Sequence, residues 1–247
     1  MDTGARMGIR IRTTRMPTPT PTSRTGTTTR MDEGLYKLTS WLSPAYPVGA
    51  YTYSHGLEWA IHAGDVGDAT TAESWIAACM EHGAGRSDAI LLVQAHAAAS
   101  SGDSTYLQEI SELASALAPS SERLRETEAQ GAAFSEVTQT AWGADAWARP
   151  PYPVALGAAA AQHRIPAKQT VELFLHAFAS NLVSACVRLV PLGQSEGQKI
   201  IAQLMPLVET VSGEALTSDL DDLGGLAIRA DIASMKHETQ DVRLFRS

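Results

Sequence analysis

The sequence contains few cysteines and none of the short motifs that mark common catalysts. Cys79 and Cys186 are too few for a disulfide framework and favour a reducing compartment. There is no GxxxxGK(S/T) loop or GxGxxG turn for phosphate groups, and no GxSxG turn for a catalytic serine. These absences lower the expectation that the protein is a nucleotide-dependent enzyme or an esterase-type hydrolase.

Strand-like sequence is also scarce. After residue 30 there are few runs of Val, Ile and Thr, whereas alanine is abundant, and this composition favours helices. The most apolar stretch, residues 167–190, is interrupted by Glu172, His176, Asn181 and Arg188, so its unbroken part is too short to span a membrane. We therefore predict an all-α fold in which this stretch is a central buried helix, with no membrane segment.

Charge is distributed unevenly along the chain. The net charge is −8, yet residues 1–30 contain six arginines and one aspartate, a net of +5, so the remaining residues carry −13. An acidic body argues against nucleic acid as a partner. Residues 1–30 are rich in Thr, Arg and Pro and are predicted to be a disordered extension, because they can bury too little apolar surface. Residues 31–247 are predicted to form a single compact helical domain.

About nine or ten helices are expected from the spacing of apolar residues. Ser54 is expected to cap a helix that starts at His55, and Thr70 or Thr71 to cap the next one. Pro206 is expected to kink or end the helix in which it lies. The helices are predicted at 32–42, 55–63, 72–82, 87–100, 104–117, 121–142, 154–162, 167–190, 195–211 and 230–237.

The segment at 41–60, WLSPAYPVGAYTYSHGLEWA, concentrates aromatic residues on a stiff loop. It holds three of the six tyrosines and two of the five tryptophans. Pro44 and Pro47 exclude a continuous helix, and Gly49 allows a tight turn. Tyrosines with polar tips on a rigid loop suit a protein-binding surface, although the same side chains could instead wedge helices together.

The histidine positions leave a catalytic alternative open. If a helix starts at His55, then His55, Glu58 and His62 share one face, and such a group can hold a transition metal. The alternative function is an all-α metal-dependent hydrolase that uses these three residues. Cys79 and His82 form another i, i+3 pair, but neither group has the four ligands of a closed zinc site. Ordinary packing or surface roles are the default for both groups.

The C-terminal residues also combine side chains that suit binding. Arg243, Leu244, Phe245 and Arg246 place an apolar pair between two cations near the end of the chain. Such a tail can dock on a partner protein, or its apolar pair can fold back on its own domain. The sequence alone leaves both interpretations open.

Three separate stretches resemble one known family. They are SPAYPVGAYTYSHGLEWA at 43–60, SACVRLVPLGQSEGQKI at 184–200 and ADIASMKHETQDVRLFRS at 230–247. All three are similar to signatures of the urease accessory protein family UreF, in the family's order and at about its spacing. The resemblance covers roughly residue 33 to the end, and it implies an all-α homodimer that is not itself an enzyme.

The resemblance also implies partners. Members of this family bind the accessory protein UreD, also called UreH, and through that complex recruit the GTPase UreG, which carries nickel to the urease apoprotein. Nickel and GTP then belong to UreG, so neither a cofactor nor a metal site is implied for this chain. We expect a cytoplasmic protein. A GTPase regulator in an unrelated pathway is a further alternative.

Two residues match positions with known roles in that family. Tyr51 matches the tyrosine used in assembling the complex that takes up UreG, and Arg243 matches a tail arginine with the same kind of role. The sequence departs from the family at 240–242, where Gln-Asp-Val stands in place of a glutamine followed by an aromatic residue and a serine. The other residues expected on the partner-binding surface are Tyr53, His55, Phe245 and Arg246.

Overall fold

The computed structural model describes Met1, residues 32–143 and residues 150–246. Within these ranges it contains ten α-helices, two short 3₁₀ turns and no strand, which confirms the predicted all-α fold. The extension predicted at 1–30 lies, apart from Met1, outside the described residues. The helices are α1 Glu33–Trp41, α2 Leu57–His62, α3 Ala69–His82, α4 Ala84–Ser101, α5 Ser104–Ala116, α6 Ser121–Trp142, α7 Tyr152–Gln162, α8 Ala167–Leu189, α9 Gln194–Ala215 and α10 Ile228–His237.

Helix α8 lies at the centre of the main hydrophobic core. Its buried residues Val171, Phe174, Leu175, Leu182 and Cys186 recur at helical spacing, and α1, α2, α3, α4, α7 and α9 all contact it. By length and composition this helix could cross a membrane, but 56% of its most apolar window is buried inside the protein. It is therefore the buried central helix that its sequence predicts.

Helices α4 and α7 approach each other closely because α7 presents small residues to α4. A Cβ atom on Gly157 would lie 2.3 Å from the carbonyl oxygen of Leu92, a distance that real Cβ atoms do not show. Leu107 and Ile110 of α5 pack with Leu91 of α4 and Val154 of α7 in a second, smaller apolar cluster. The small residues of α7 thus permit close packing of these helices.

Helix α3 begins three residues earlier than predicted, because a different residue caps it. Asp68 accepts the Thr71 N–H at 2.8 Å, and the Thr71 hydroxyl accepts the Asp68 N–H at 3.1 Å, which completes a capping box. Thr71 is therefore the third residue of the helix and not its cap. Helix α4 also begins three residues early, at Ala84.

Helix α9 continues through Pro206 to Ala215, so the proline does not end it. A proline inside a helix leaves the carbonyl oxygen four residues earlier, here that of Ala202, without its usual donor. Both Pro206 and Ala202 are exposed, so water can hydrogen-bond to that oxygen. The sequence pattern did not reveal which side of the helix faces solvent at this point.

Candidate partner-binding surface

The loop between α1 and α2 holds its three tyrosines in different environments. Gly49 is left-handed, with φ +74°, and leads into the 3₁₀ turn Ala50–Thr52, on which Tyr51 is 57% exposed. The ring of Tyr53 is buried, and the hydroxyl of Tyr46 is hydrogen-bonded to a threonine of α6 at 2.8 Å. Two of the tyrosines therefore pack between helices, as one interpretation of the loop predicts, and the third is exposed.

The start of α2 differs from the predicted one. His55 and Gly56 are both left-handed, with φ +53° and +76°, and the helix begins only at Leu57. Ser54 therefore does not cap a helix at His55, and its carbonyl oxygen accepts the Leu57 N–H at 3.0 Å. A Cβ atom on Gly56 would lie 2.5 Å from the backbone nitrogen of Ser234 in α10. The close approach of α10, which local sequence cannot reveal, requires glycine here.

The C-terminal tail after α10 folds back onto this loop. The Arg246 N–H donates to the Thr52 carbonyl oxygen at 2.7 Å. Phe245 is buried, and the Arg188 guanidinium of α8 lies 4.4 Å from the centre of its ring. The same guanidinium donates to the Tyr51 carbonyl oxygen at 2.8 Å. Loop and tail are thus bonded to each other directly and through α8.

We call the paired segments 49–53 and 243–246 the loop–tail surface. Leu244, next to the buried Phe245, is 76% exposed on it. Five of the six residues expected from the sequence lie in these two segments, and His55 lies two residues beyond the loop segment. Exposed or partly exposed are Tyr51, Arg243 and Arg246, and largely buried beneath them are Tyr53, His55 and Phe245.

Two buried carboxylates hold the tail in place. Glu58 of α2 accepts two consecutive backbone N–H groups of the tail, at 2.7 and 2.9 Å. Glu122 of α6 accepts from the Arg243 guanidinium at 2.6 Å. His237, the last residue of α10, lies between these carboxylates, 3.1 Å from Glu58 and 2.7 Å from Glu122. Charge-assisted hydrogen bonds of this kind are about twice as strong as neutral ones.

Sequence reasoning missed the tail-binding roles of Glu58, Glu122 and His237. Glu58 was singled out only as a possible metal ligand, and the other two were not singled out at all. The partners of Glu122 in this cluster are more than 110 residues away along the chain. No short-range pattern could have revealed such contacts.

A second charged cluster lines a cavity of about 470 Å³ behind the loop. Glu126 of α6 contacts His55 Nε2 at 3.2 Å and Arg123 at 3.4 Å, and Arg123 also pairs with Asp88 of α4. Apolar side chains of α1 and α8 form much of the remaining wall. His55 also packs edge-on against Phe178 of α8, with ring centres 4.9 Å apart.

Burial governs the protonation of this second cluster. It lowers the pKa of His55 from 6.5 to about 4, against the opposing effect of Glu126, while Arg123 lowers it further. Burial likewise raises the pKa of Asp88, although Arg123 acts against it. His55 Nδ1 is buried and has no hydrogen-bond partner, which agrees with a neutral ring that donates only through Nε2.

The metal-binding triad considered from the sequence is not assembled. His55 precedes the helix, Glu58 is buried and bonded to the tail, and His62 is exposed. Cys79 is also buried, which raises the pKa of its thiol to about 12, whereas His82 is exposed. Within the described ranges, no group of three or more His, Cys, Asp or Glu residues is placed to hold a metal ion. The hydrolase alternative therefore lacks the site on which it was based.

Helix α10 carries an exposed apolar stripe that sequence reasoning did not identify. Ile228, Ile232 and Met235 are exposed at i, i+4 and i+7, and Leu226 just before the helix is also exposed. The opposite face of α10 contacts α2 and α6. An apolar stripe beside a surface loop is typical of protein-binding sites. From sequence alone, the same spacing could equally mark the buried face.

Comparison with known proteins identifies relatives over most of the chain. The UreF family model matches residues 66–205, a range that leaves the loop–tail surface outside it. The urease accessory protein UreF of Rhodopseudomonas palustris (strain HaA2) is 51% identical over 221 residues, which cover 86% of this chain and 93% of the relative. The protein of the same name from Cereibacter sphaeroides (strain KD131 / KCTC 12085) is 52% identical over 217 residues, which cover 88% of this chain and 100% of the relative.

A further relative extends the alignment. The urease accessory protein UreF of Bradyrhizobium diazoefficiens is 45% identical over 240 residues, which cover 94% of this chain and 99% of the relative. The family model itself matches more than half of the chain. The all-α fold agrees with what the resemblance of the three stretches implied. The chain therefore belongs to the UreF family of urease accessory proteins.

Proposed function

We propose that this protein is a non-enzymatic adaptor in the maturation of urease. It forms a homodimer in the cytoplasm, binds UreD/UreH, and through that complex recruits UreG to the urease apoprotein. Nickel is the cargo and GTP the nucleotide of UreG, so the adaptor contributes binding surfaces and no cofactor of its own.

The loop–tail surface is the observation that carries this proposal. It combines an exposed aromatic ring at Tyr51, an exposed aliphatic side chain at Leu244 and a cation at Arg246. Aromatic and arginine side chains are enriched among the residues that contribute most to protein binding. The hydrogen bonds from the tail to the loop and to Glu58 fix this surface before a partner arrives, which reduces the entropy lost on binding.

The adaptor mechanism follows from placing two partners on one scaffold. The tail, with the neighbouring apolar stripe of α10, is proposed to bind UreD/UreH, and Tyr51 is proposed to contribute to the uptake of UreG. Partners held on one scaffold meet at a high effective concentration. Nickel can then pass between bound proteins without being released as a free ion.

The test of this proposal is a comparison of two tyrosine variants. The purified protein is mixed with UreD/UreH and UreG, GTP and Ni²⁺, and the complexes are separated by size-exclusion chromatography with mass detection. We expect a complex of all three proteins with the wild type. Tyr51→Ala is expected to weaken UreG uptake roughly 10- to 100-fold, the effect typical of a binding hot spot. The fold should be unchanged, because the side chain is exposed.

Tyr36→Ala is the matched control. Tyr36 is 51% exposed, close to the value for Tyr51, but it lies on α1 away from the loop–tail surface. It should bind both partners as the wild type does. Normal UreG uptake by Tyr51→Ala would contradict the role of the loop, and the absence of any complex with the wild type would contradict the adaptor function.

A further inference from the structure

Two polar side chains of the central helix α8 reach the aromatic loop. Asn181 and Arg188 are two of the residues that interrupt the apolar sequence of this helix, and their spacing of seven residues places them on the same face, two turns apart. The Asn181 side-chain amide donates to the Tyr53 carbonyl oxygen at 3.1 Å. The Arg188 guanidinium donates to the Tyr51 carbonyl oxygen at 2.8 Å. Helix α8 therefore binds the backbone of the loop on both sides of Thr52.

Packing alone does little to fix the position of this turn. None of the three residues of the 3₁₀ turn is buried. Ala50 and Tyr51 border the cavity of about 470 Å³, so part of the space beside them is not filled by packed side chains. The hydrogen bonds within the turn, such as that from the Thr52 N–H to the Gly49 carbonyl oxygen at 3.0 Å, fix its shape but not its place on the domain. That place depends on the buried ring of Tyr53 and on the two donors of α8.

The geometry of each side chain aims its donor at the loop. Arg188 Nε donates to the Ser184 carbonyl oxygen at 3.3 Å, and Arg188 lies in the last turn of α8, where a helix favours a cation. Because the guanidinium is planar, this contact with its own helix also sets the direction of Nη2, which donates to Tyr51. A carbonyl oxygen only accepts hydrogen bonds, so Asn181 must turn its amide nitrogen toward Tyr53.

We infer that Asn181 and Arg188 are positioning residues for Tyr51. Their donors hold the backbone of the 3₁₀ turn on α8, so that the exposed Tyr51 ring stands at a fixed place when UreG approaches and less entropy is lost on binding. The inference deepens the proposed function and rests on it for the effect on UreG. The attachment of the turn to α8 can be measured separately, in the isolated protein.

Asn181 is the sharper probe of the two. Arg188 also faces the Phe245 ring, so its replacement would change the contacts of the tail as well. Asn181→Leu keeps the size and branching of the side chain but removes the donor to the Tyr53 carbonyl oxygen. Arg188→Met is the second variant, and the fold should tolerate it because the position is exposed. Lys199→Met, at an exposed position of α9, is the matched control.

The first test measures hydrogen exchange at the Thr52 and Tyr53 amides in the isolated full chain. Both amides donate within the turn, so their exchange reports whether the turn is held. Asn181→Leu and Arg188→Met should each accelerate this exchange by on the order of 10-fold, as expected for the loss of one hydrogen bond. Lys199→Met should leave it unchanged. Unchanged exchange in either loop-contacting variant would refute the role of that residue, and wild-type exchange at the rate of an unstructured peptide would refute both.

The second test is a double-mutant cycle on UreG uptake. Asn181→Leu should weaken the uptake of UreG by the complex with UreD/UreH roughly 10-fold and leave the binding of UreD/UreH itself unchanged. Adding Asn181→Leu to Tyr51→Ala should cause no further loss, because a positioning residue acts only through the ring that it positions. Fully additive losses would show that Asn181 acts independently of Tyr51 and would overturn the inference. If Asn181→Leu does not fold, Arg188→Met takes its place in both tests.

The combined results separate the inference from the proposed function. Loss of UreG uptake in Tyr51→Ala together with normal uptake in Asn181→Leu would overturn the inference and leave the proposed function standing. Normal uptake in Tyr51→Ala would contradict the proposed role of the loop, and hydrogen exchange alone would then decide whether α8 holds the turn.

Discussion

His55 illustrates how burial changes the chemistry of a single side chain in this fold. Its Nε2 contacts a carboxylate, Glu126, which by itself would favour the charged ring. Arg123 contacts the same carboxylate oxygen and partly neutralises its negative charge. Burial of a charged ring therefore costs more than the remaining attraction of Glu126 returns, and the pKa of His55 is lowered.

The lowered pKa of His55 predicts that the protein loses stability in mild acid. Between pH 6.5 and about 4, the unfolded chain binds a proton at this residue and the folded chain does not, so the free energy of unfolding falls as the pH falls. The contribution is about 1.4 kcal/mol per pH unit, or roughly 3 kcal/mol across the window. Denaturant unfolding of the wild type at several pH values measures it.

A His55→Gln variant isolates this contribution from other titrating groups. The raised pKa of Asp88 acts in the opposite sense, because a raised carboxyl pKa adds stability as the pH falls. The difference in unfolding free energy between wild type and variant should therefore shrink or reverse from pH 7 to pH 4. The exposed His62→Gln should keep the pH profile of the wild type. Parallel profiles for all three proteins would exclude a role for His55.

The packing of α7 against α4 shows that a neighbouring helix can determine which residue a position accepts. Gly157 lies in the middle of α7, where glycine normally weakens a helix. Here the carbonyl oxygen of Leu92 leaves no room for a Cβ atom. The packing of α7 on α4 therefore decides the residue, against the local preference for alanine.

Substitution of two helical glycines tests this packing. Gly157→Ala should destabilise the protein by about 1–3 kcal/mol, because the helices must move apart to admit the methyl group. Gly213→Ala in α9 is the matched control, since nothing lies within 4 Å of its Cβ position. It should leave the free energy of unfolding unchanged or raise it by up to about 1 kcal/mol. Equal effects of the two substitutions in thermal unfolding would contradict the close approach.

At the scale of the whole molecule, the first and last parts of the described domain meet in one surface. The loop follows α1, the tail follows α10, and the long helices α6 and α8 supply the side chains that join them. Glu122 of α6 contacts the tail, as Glu58 of α2 does, and Arg188 of α8 contacts both the tail and the loop. A structural change in the tail can therefore alter the conformation of the loop even when no partner contacts Tyr51.

Two adjacent tail residues are expected to separate binding from ordering. Leu244→Ala should leave tail hydrogen exchange unchanged, because the side chain is exposed, and should weaken UreD/UreH binding by about 1–2 kcal/mol. Phe245→Ala should weaken binding and also accelerate exchange at the tail amides, because the buried ring anchors the tail. Titration calorimetry and hydrogen exchange provide the two readouts. Normal binding by both variants would show that the tail is not the docking site.

The sequence by itself determined the class of fold, the existence of most helices and the family. The apolar spacing of α8, the prolines of the aromatic loop and the three family-like stretches are all local features, and local patterns predict them well. The six residues expected on the binding surface were also named from sequence, and their role in binding stays a prediction. The sequence did not indicate, however, which of these six side chains would be exposed.

Only the tertiary structure decided the start of α2, the exposure of each expected binding residue and the identity of the acids that contact the tail. Position 56 requires glycine because α10 approaches its backbone closely. Glu58, proposed from sequence as a possible metal ligand, binds the tail instead. His237 joins groups that lie between 115 and 179 residues away. Hydrogen bonds and steric contacts across such separations depend on how helices pack, and the periodicity of a single helix carries no information about its neighbours.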